Sequence, residues 1–247
     1  MTGIDVLRDD VSLDAPTLVE GLPGVGLVGK LAADHLAETF EMVHYANVHC
    51  EGLPPVTTYE DGDRELVTPV RLYADPERNL LALRSDVPVS PGAALEFASC
   101  LESWYDDGEV TPIYLSGIGR GRAEEESPGL YGVGTGAGSD RLAEVGIDSP
   151  DESGLVSGPT GALLNHAVRT GRTAVGLIVE STPQFPDPEA AAHLVEDGIG
   201  PLLGFAVPVD DLIDHAEEIR QAKRRLARQM QEADETSSQA RPLGMYQ

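Results

Sequence analysis

Residues 17–30 have the sequence TLVEGLPGVGLVGK, a short apolar run followed by a glycine-rich turn and the start of a helical pattern. Gly24, Gly26 and Gly29 have the spacing G-x-G-x-x-G. Glycines let a backbone turn tightly, and the first N–H groups of a helix can bind a phosphate. The stretch therefore predicts a strand, a tight turn and a helix, the repeating unit of an α/β fold.

This turn has two interpretations. The first is a dinucleotide site, for which Glu51 supplies an acid roughly 20 residues farther along the chain. The second is a packing turn, in which glycines let the strand and the helix approach closely. Pro23 removes one backbone donor, and a carboxylate at Glu20 would repel a pyrophosphate. We therefore favour the packing turn, whose structural signature consists of Gly21, Pro23, Gly24, Gly26 and Gly29.

The composition is strongly acidic, because 42 acidic residues against 17 basic ones give a formal charge of -25 over 247 residues. Such a charge argues against nucleic acid and anionic membranes as partners. The N-terminal residues lack the basic and apolar regions of a signal peptide, and no apolar run approaches the roughly 18 residues of a membrane span. We expect a soluble cytoplasmic protein, and a salt-rich, halophilic cytoplasm explains the acidity best.

Strand patterns and helix patterns alternate along most of the chain. Strands are predicted at residues 42–49, 66–73, 80–84, 113–115 and 173–180, and helices at 30–40, 91–105 and 162–169. Pro69 marks its strand as an edge or irregular one, and residues 75–79 indicate a hairpin turn. The glycine-rich stretch 117–138 is predicted as a long loop, and its part 131–138 is either an anion-binding nest or a strand edge with a turn. The alternation predicts a three-layer α/β/α domain with a largely parallel mixed sheet.

The C-terminal third contains two further helix patterns. Asp187 and Pro188 have the residue types of an N-cap and a first helical turn. Residues 210–231 form the longest predicted helix, and its second half carries the bases Arg220, Lys223, Arg224, Arg225 and Arg228. These bases either complement the helix dipole or form a docking surface for an acidic partner. Beyond them the apolar periodicity ends, so we expect a body over residues 1–231 and a flexible tail over 232–247.

Catalytic and metal-binding patterns are weak in this sequence. The six histidines have no metal-ligand spacing such as H-E-x-x-H, and no G-x-S-x-G nucleophile turn is present. The two cysteines, Cys50 and Cys100, are too few for a disulfide framework, and we interpret Cys50 as a buried thiol. We expect no metal, no cofactor and no enzymatic activity.

Three ordered motifs together resemble the PAC2 family of proteasome assembly chaperones, in its archaeal branch. They are residues 20–29 (EGLPGVGLVG), 158–164 (GPTGALL) and 187–192 (DPEAAA), and the resemblance extends from about Leu18 to Met230. It implies a three-layer α/β/α domain similar to that of nucleoside phosphorylases, without phosphorylase chemistry. Members of the family act by binding, and relatives form homo-oligomers, so the same is implied for this chain.

The last three residues, Met245, Tyr246 and Gln247, match the hydrophobic-tyrosine-any-residue ending of archaeal members of the family and of proteasomal ATPases. The resemblance implies that this tail enters a pocket between neighbouring α subunits of the proteasome core. The Gln247 carboxylate would pair with a pocket lysine, the Tyr246 ring would fill the pocket, and Met245 would add apolar contact. The remaining alternative is a nucleotide- or dinucleotide-binding enzyme that uses the turn from Gly24 to Gly29.

The charge leads to a prediction about salt. Self-repulsion of a chain with a net charge of -25 weakens the compact state at low ionic strength. We expect folding to need molar salt, so the melting temperature should rise as KCl is added. A melting temperature that does not rise with KCl would contradict the halophilic interpretation.

Overall fold

A computed structural model describes residues 3–59, 62, 64–105, 110–120, 127–182 and 186–214. The predicted tail and most of the predicted helix over 210–231 lie outside the described residues. Helical backbone does begin at Asp210, the first residue of that predicted helix.

The described part of the chain contains ten strands and, besides the helical turn that begins at Asp210, six α-helices. The strands are β1 (Gly3–Val6), β2 (Thr17–Gly21), β3 (Val43–His49), β4 (Thr58–Tyr59), β5 (Leu66–Val67), β6 (Val70–Asp75), β7 (Leu80–Ser85), β8 (Thr111–Gly119), β9 (Leu130–Thr135) and β10 (Ala174–Ser181). The helices are α1 (Val28–Thr39), α2 (Ala94–Tyr105), α3 (Gly138–Glu144), α4 (Gly158–Thr170), α5 (Pro188–His193) and α6 (Gly200–Leu203). Residues Leu194–Ile199 form a π-helical segment that joins α5 to α6.

Eight strands form one mixed sheet in the order β1-β3-β6-β7-β2-β8-β10-β9, and β4 and β5 form a separate hairpin. The central strands β7, β2, β8 and β10 are parallel to one another. The strands on either side of this centre pair antiparallel. This arrangement confirms the predicted α/β class with its mixed sheet around a parallel centre.

Two hydrophobic clusters cover the two faces of the sheet and give the molecule three layers. Helices α1 and α5 and the π-helical segment belong to one cluster, and α2 and α4 belong to the other. Adjacent residues of β2 alternate between them, since Val19 packs in the first cluster and Leu18 in the second. Val209 and Leu212 pack in the first cluster, so the last described residues are held against the body.

Two details of the sheet differ from the prediction. Pro69 lies in a break between β5 and β6, which confirms irregularity, but β6 is an internal strand between β3 and β7 and not an edge. The predicted loop over 117–138 is shorter, because β8 runs to Gly119 and β9 begins at Leu130. Strand β9 forms the far edge of the sheet, so residues 131–138 follow the strand-edge interpretation, and the start of α3 was not predicted.

The interpretation of Cys50 as a buried thiol is wrong, because Cys50 and Cys100 form a disulfide. Cys50 directly follows β3, and Cys100 lies in α2, with 50 residues of sequence separation between them. Helix α2 packs over the sheet face that the end of β3 reaches, and this tertiary contact brings the two sulfurs together. Sequence spacing carries no signal for such a pair.

Candidate functional site

The three sequence motifs meet at one end of the sheet. Parallel strands place their carboxyl ends at the same edge, where open α/β sheets usually bind ligands. The first motif follows β2, the third follows β10, and the second forms the first turn of α4. The contacts below connect them through two buried carboxyl groups, and we call this set of residues the motif junction: Glu20, Gly26, Thr160, Ser181 and Asp187.

Glu20 connects the first motif to the second. Its side chain is fully buried, and its Oε1 accepts a hydrogen bond from the Leu22 N–H at 3.1 Å. Its Oε2 accepts from the Leu115 N–H of β8 at 3.1 Å. The hydroxyl of Thr160, in the first turn of α4, lies 3.2 Å from Oε1 and donates to it. One carboxyl group therefore joins two neighbouring parallel strands and a helix.

The protonation of Glu20 follows from its burial. Burial raises the pKa of Glu20 to about 8, although the N–H groups of Leu115 and Leu22 and the Thr160 hydroxyl act in the opposite direction. At neutral pH the group is therefore mainly the uncharged acid. In the uncharged form one carboxyl oxygen carries a proton, and the Thr160 Oγ1, 3.2 Å from Oε1 and 3.3 Å from Oε2, is the neighbouring atom that can accept it. A neutral buried acid with these partners suits a structural connection, since burying it costs much less than burying a carboxylate.

Gly26 and Asp187 connect the first motif to the third. Gly26 has a left-handed φ of 63°, and a Cβ atom there would lie 1.9 Å from the Ser181 Oγ. The Asp187 N–H donates to the Gly26 carbonyl oxygen at 2.9 Å. Both the positive φ and the contact with the end of β10 therefore require glycine at this position.

The Asp187 carboxylate organises the segment after β10. Its Oδ1 accepts from the Ala190 N–H at 3.1 Å, which confirms the predicted N-cap of α5. Its Oδ2 accepts from the Thr182 N–H at 2.9 Å and from the Ser181 hydroxyl at 3.2 Å. Asp187 thus fixes the end of one strand and the start of the next helix.

The other signature residues of the first turn also have structural surroundings. A Cβ at Gly21 would lie 2.3 Å from the Ala33 Cβ of α1, and one at Gly29 would lie 3.2 Å from the Leu115 Cβ of β8. Pro23 is half-buried, and Gly24 is exposed with no atom near the place of a Cβ. Three of the four glycines are thus explained by close packing, as the packing-turn interpretation expects.

The histidines that the structure describes are distributed over the molecule and not gathered at the motif junction. The Nε2 of His35 lies 2.6 Å from the Pro208 carbonyl oxygen, and His44 stacks on Tyr73. His193 pairs with Asp197 at 2.6 Å, and His166 lies 4.0 Å from the buried Glu102. Among the described residues, no group of three or more histidine, cysteine or acidic side chains could hold a metal ion. These positions fit local structural roles.

The position of Glu20 at the turn was predictable from the sequence, but its hydrogen-bond partners were not. Thr160 lies 140 residues away, and Ser181 ends a strand that offered no reason to single it out. The charge of Glu20 was a usable signal, because an acid inside an apolar strand that is covered on both faces must find buried partners.

The predicted binding residues Met245, Tyr246 and Gln247 lie outside the described residues. Within the described part of the chain, no helix is both long enough and apolar enough to cross a membrane.

Comparison with known proteins gives a consistent result. The profile of the PAC2 family matches residues 18–227. A crystal structure of Pyrococcus furiosus PbaA, described as an archaeal homolog of proteasome-assembly chaperone, is 28% identical with a TM-score of 0.80 and covers 96% of both chains. An uncharacterised protein of Methanocaldococcus jannaschii is 27% identical over 227 residues, or 91% of this chain and 90% of that protein. Pyrococcus furiosus PbaB, described as an archaeal proteasome activator, shares the fold at 20% identity, with a TM-score of 0.74 and coverage of 92% of this chain and 100% of that one.

Gly26→Ala should destabilise the protein by about 3 kcal/mol, because the left-handed backbone and the overpacking against Ser181 each cost energy. The matched control is Gly24→Ala, at an open position with φ of -141°, which should change the free energy of unfolding by less than about 0.5 kcal/mol. Urea unfolding measures the free energy of unfolding of both variants. Adding Ser181→Gly to the Gly26 variant should recover part of the loss, and equal effects of the two alanine substitutions would contradict the packing role.

Glu20 should give the stability a specific pH dependence. The folded-state pKa of about 8 lies above the ordinary 4.5, so between these values the folded protein holds a proton that the unfolded chain releases. The contribution of Glu20 to stability is therefore complete below pH 4.5 and is lost progressively as the pH rises to about 8, by up to ~1.4 kcal/mol per pH unit.

Glu20→Gln removes this titration, so the variant should gain stability relative to the parent protein between pH 5 and 8 and show a constant difference above that. The exposed substitution Glu144→Gln serves as the control. Chemical unfolding at several pH values measures the difference, and a parallel pH dependence of parent and Glu20→Gln would show that Glu20 does not titrate in this way.

Proposed function

The chain belongs to the PAC2 family, and we propose that it is a proteasome assembly chaperone-like protein or adaptor that binds the α subunits of the proteasome core in the cytoplasm. The observation that carries this proposal is the ending Met245-Tyr246-Gln247 on a chain of this family. The similarity to PbaA over 96% of both chains supports a chaperone role. The motif junction supports a body that carries the binding tail, since its polar groups are occupied with one another.

The tail would bind through three different interactions. The C-terminal carboxylate of Gln247 would pair with a lysine in a pocket between two α subunits. The Tyr246 ring would fill the pocket and its hydroxyl would form a hydrogen bond, while Met245 would contact apolar side chains at the rim. An aromatic anchor in a closed pocket is the type of residue that dominates binding energy.

The expected division into a body over residues 1–231 and a tail over residues 232–247 would give the tail enough reach for this task. A flexible chain of about 15 residues has a root-mean-square span on the order of 20 Å. A body that rests beside the ring of α subunits would thus reach a pocket without a change in its own structure.

Several tails would act together if the protein forms a homo-oligomer. One tail buries little surface, so a single site would bind weakly. Tails that are held on one assembly raise each other's effective concentration and would strengthen binding by a factor on the order of 100 or more.

The second candidate function is a nucleotide-dependent enzyme that uses the turn from Gly24 to Gly29. The packing of Gly21, Gly26 and Gly29 disfavours it, because these positions contact α1, β8 and β10. The buried acid Glu20 at the same turn offers no donor array for a phosphate. Calorimetry with NAD and with ATP tests this candidate directly, and measurable binding of either would favour it.

Deletion of Met245, Tyr246 and Gln247 should abolish binding to proteasome α subunits and leave the fold and the oligomeric state unchanged. Tyr246→Ala should weaken binding by about 30-fold, equivalent to ~2 kcal/mol. A matched control is Ser237→Ala, within the linker. A pull-down with purified α subunits measures binding, and circular dichroism with size-exclusion chromatography checks the fold. Equal binding by the truncated and full-length proteins would contradict the tail mechanism.

A further inference from the structure

The Cys50–Cys100 disulfide attaches a surface segment to the body of the protein. Cys50 is the first residue after β3 and is only 6% exposed, whereas Cys100 is half-buried in α2. The segment that starts at Cys50 passes Gly52, where an added Cβ would lie 2.1 Å from the Ala93 Cβ. It then enters the β4–β5 hairpin. The disulfide is thus the covalent attachment at the start of this segment.

The hairpin that this segment carries exposes large apolar side chains. Tyr59 in β4 is 79% exposed, Leu66 in β5 is 68% exposed, and Val56 just before β4 is 45% exposed. At its base the hairpin is held by the buried Arg71, whose Nη1 donates to the Thr58 hydroxyl at 3.0 Å. These apolar side chains are concentrated at one exposed hairpin. A change in the position of this segment would therefore move an apolar patch on the protein surface.

A cleft gives access to the disulfide. It has a volume of about 390 Å³ and is lined by Gly3, Glu51, Glu96, Ser99, Cys100 and Ser103. Cys100 lines this cleft and Cys50 does not, so a thiol from solvent approaches the disulfide from the side of Cys100. Disulfides that are accessible in this way exchange more readily than buried ones.

We propose that the Cys50–Cys100 disulfide is a reversible redox lock on residues 50–59, which include the first strand of the apolar hairpin. In the oxidised state the segment is fixed to α2. Reduction by a thiol releases this attachment, and the segment opens locally while the sheet and the motif junction stay folded. The function of the lock is to couple the position of the exposed apolar hairpin to the thiol content of the surroundings.

The chemistry is ordinary thiol–disulfide exchange. A thiolate attacks the Cys100 Sγ, the bond between the two sulfurs breaks, and Cys50 leaves as a thiolate that takes a proton from water. A second thiolate attacks the mixed disulfide at the reductant's sulfur and releases Cys100. Two thiols are oxidised to one disulfide as the protein disulfide is reduced to two thiols, and an oxidised dithiol reverses the reaction.

The charge of the cleft selects among reductants. Glu51 and Glu96 are exposed acids that line the cleft with Cys100. Every attacking thiolate is an anion, and these acids repel it more strongly when the reductant carries a further negative charge, as glutathione does, than when the rest of the reductant is uncharged. At low ionic strength, each carboxylate at a distance on the order of 8 Å should slow a singly charged reductant about two- to threefold. The lock therefore responds faster to uncharged thiols, or to a protein with a basic thiol site, than to glutathione.

Hydrogen–deuterium exchange on the full chain tests the lock. The protein is oxidised with oxidised dithiothreitol, then reduced with dithiothreitol, and exchange is followed by mass spectrometry. We expect at least tenfold faster exchange in the reduced protein for the hydrogen-bonded amides within residues 50–59, such as those of Leu53 and Val56. Exchange in β10 should stay unchanged, and reoxidation should restore the slow exchange. Two alkylatable thiols after oxidation, unchanged exchange at 50–59, or an equal increase in β10 would each overturn the proposal.

Two sets of variants make the test specific. The double variant Cys50→Ala with Cys100→Ala should reproduce the fast exchange of the reduced protein and should not respond to dithiothreitol. Slow exchange in this double variant would overturn the lock.

The double variant Glu51→Gln with Glu96→Gln tests the approach through the cleft. Its reduction by glutathione should speed up relative to its reduction by mercaptoethanol. An unchanged rate ratio would overturn attack through this cleft.

Discussion

The hydrogen bonds of the Glu20 carboxyl group hold the centre of the structure together. They connect β2 to β8 and to the first turn of α4, in the interior where water offers no replacement partner. Asp187 connects the end of β10 to the turn at Gly26: its carboxylate accepts from the Ser181 hydroxyl, and its N–H donates to the Gly26 carbonyl oxygen. Each group satisfies donors that would otherwise be buried and unpaired, so the three motifs depend on one another although they are far apart in sequence.

This arrangement changes the meaning of the glycine-rich turn. In a doubly wound sheet, the carboxyl end of the parallel strands is where a ligand crevice usually opens. Here the protein fills that place with its own side chains, and Gly26 provides the space for Ser181. Within the described residues, this edge carries an internal connection between the three motifs, formed by Glu20 and Asp187.

The elements that could be predicted are those with a local signal. Apolar runs and helical spacing located β3, β10, α1 and α2 to within a few residues, and Asp187 with Pro188 marked the start of α5. What could not be predicted depends on tertiary contact. The antiparallel edge strand β1, the disulfide and the pairing of Glu20 with Thr160 join residues that are widely separated in sequence, and no periodicity records such distances. The internal position of β6 was not predicted. A proline beside a strand indicates that one backbone N–H is missing, but it does not indicate which strands lie on either side.

The burial of Leu212 has a consequence for how far the chain can be shortened. With 4% of its surface exposed, this residue packs in the same hydrophobic cluster as α1 and α5. A truncation that removes Leu212 would leave part of this cluster without its packing partner. The last described turn therefore belongs to the folded core, and packing constrains its sequence.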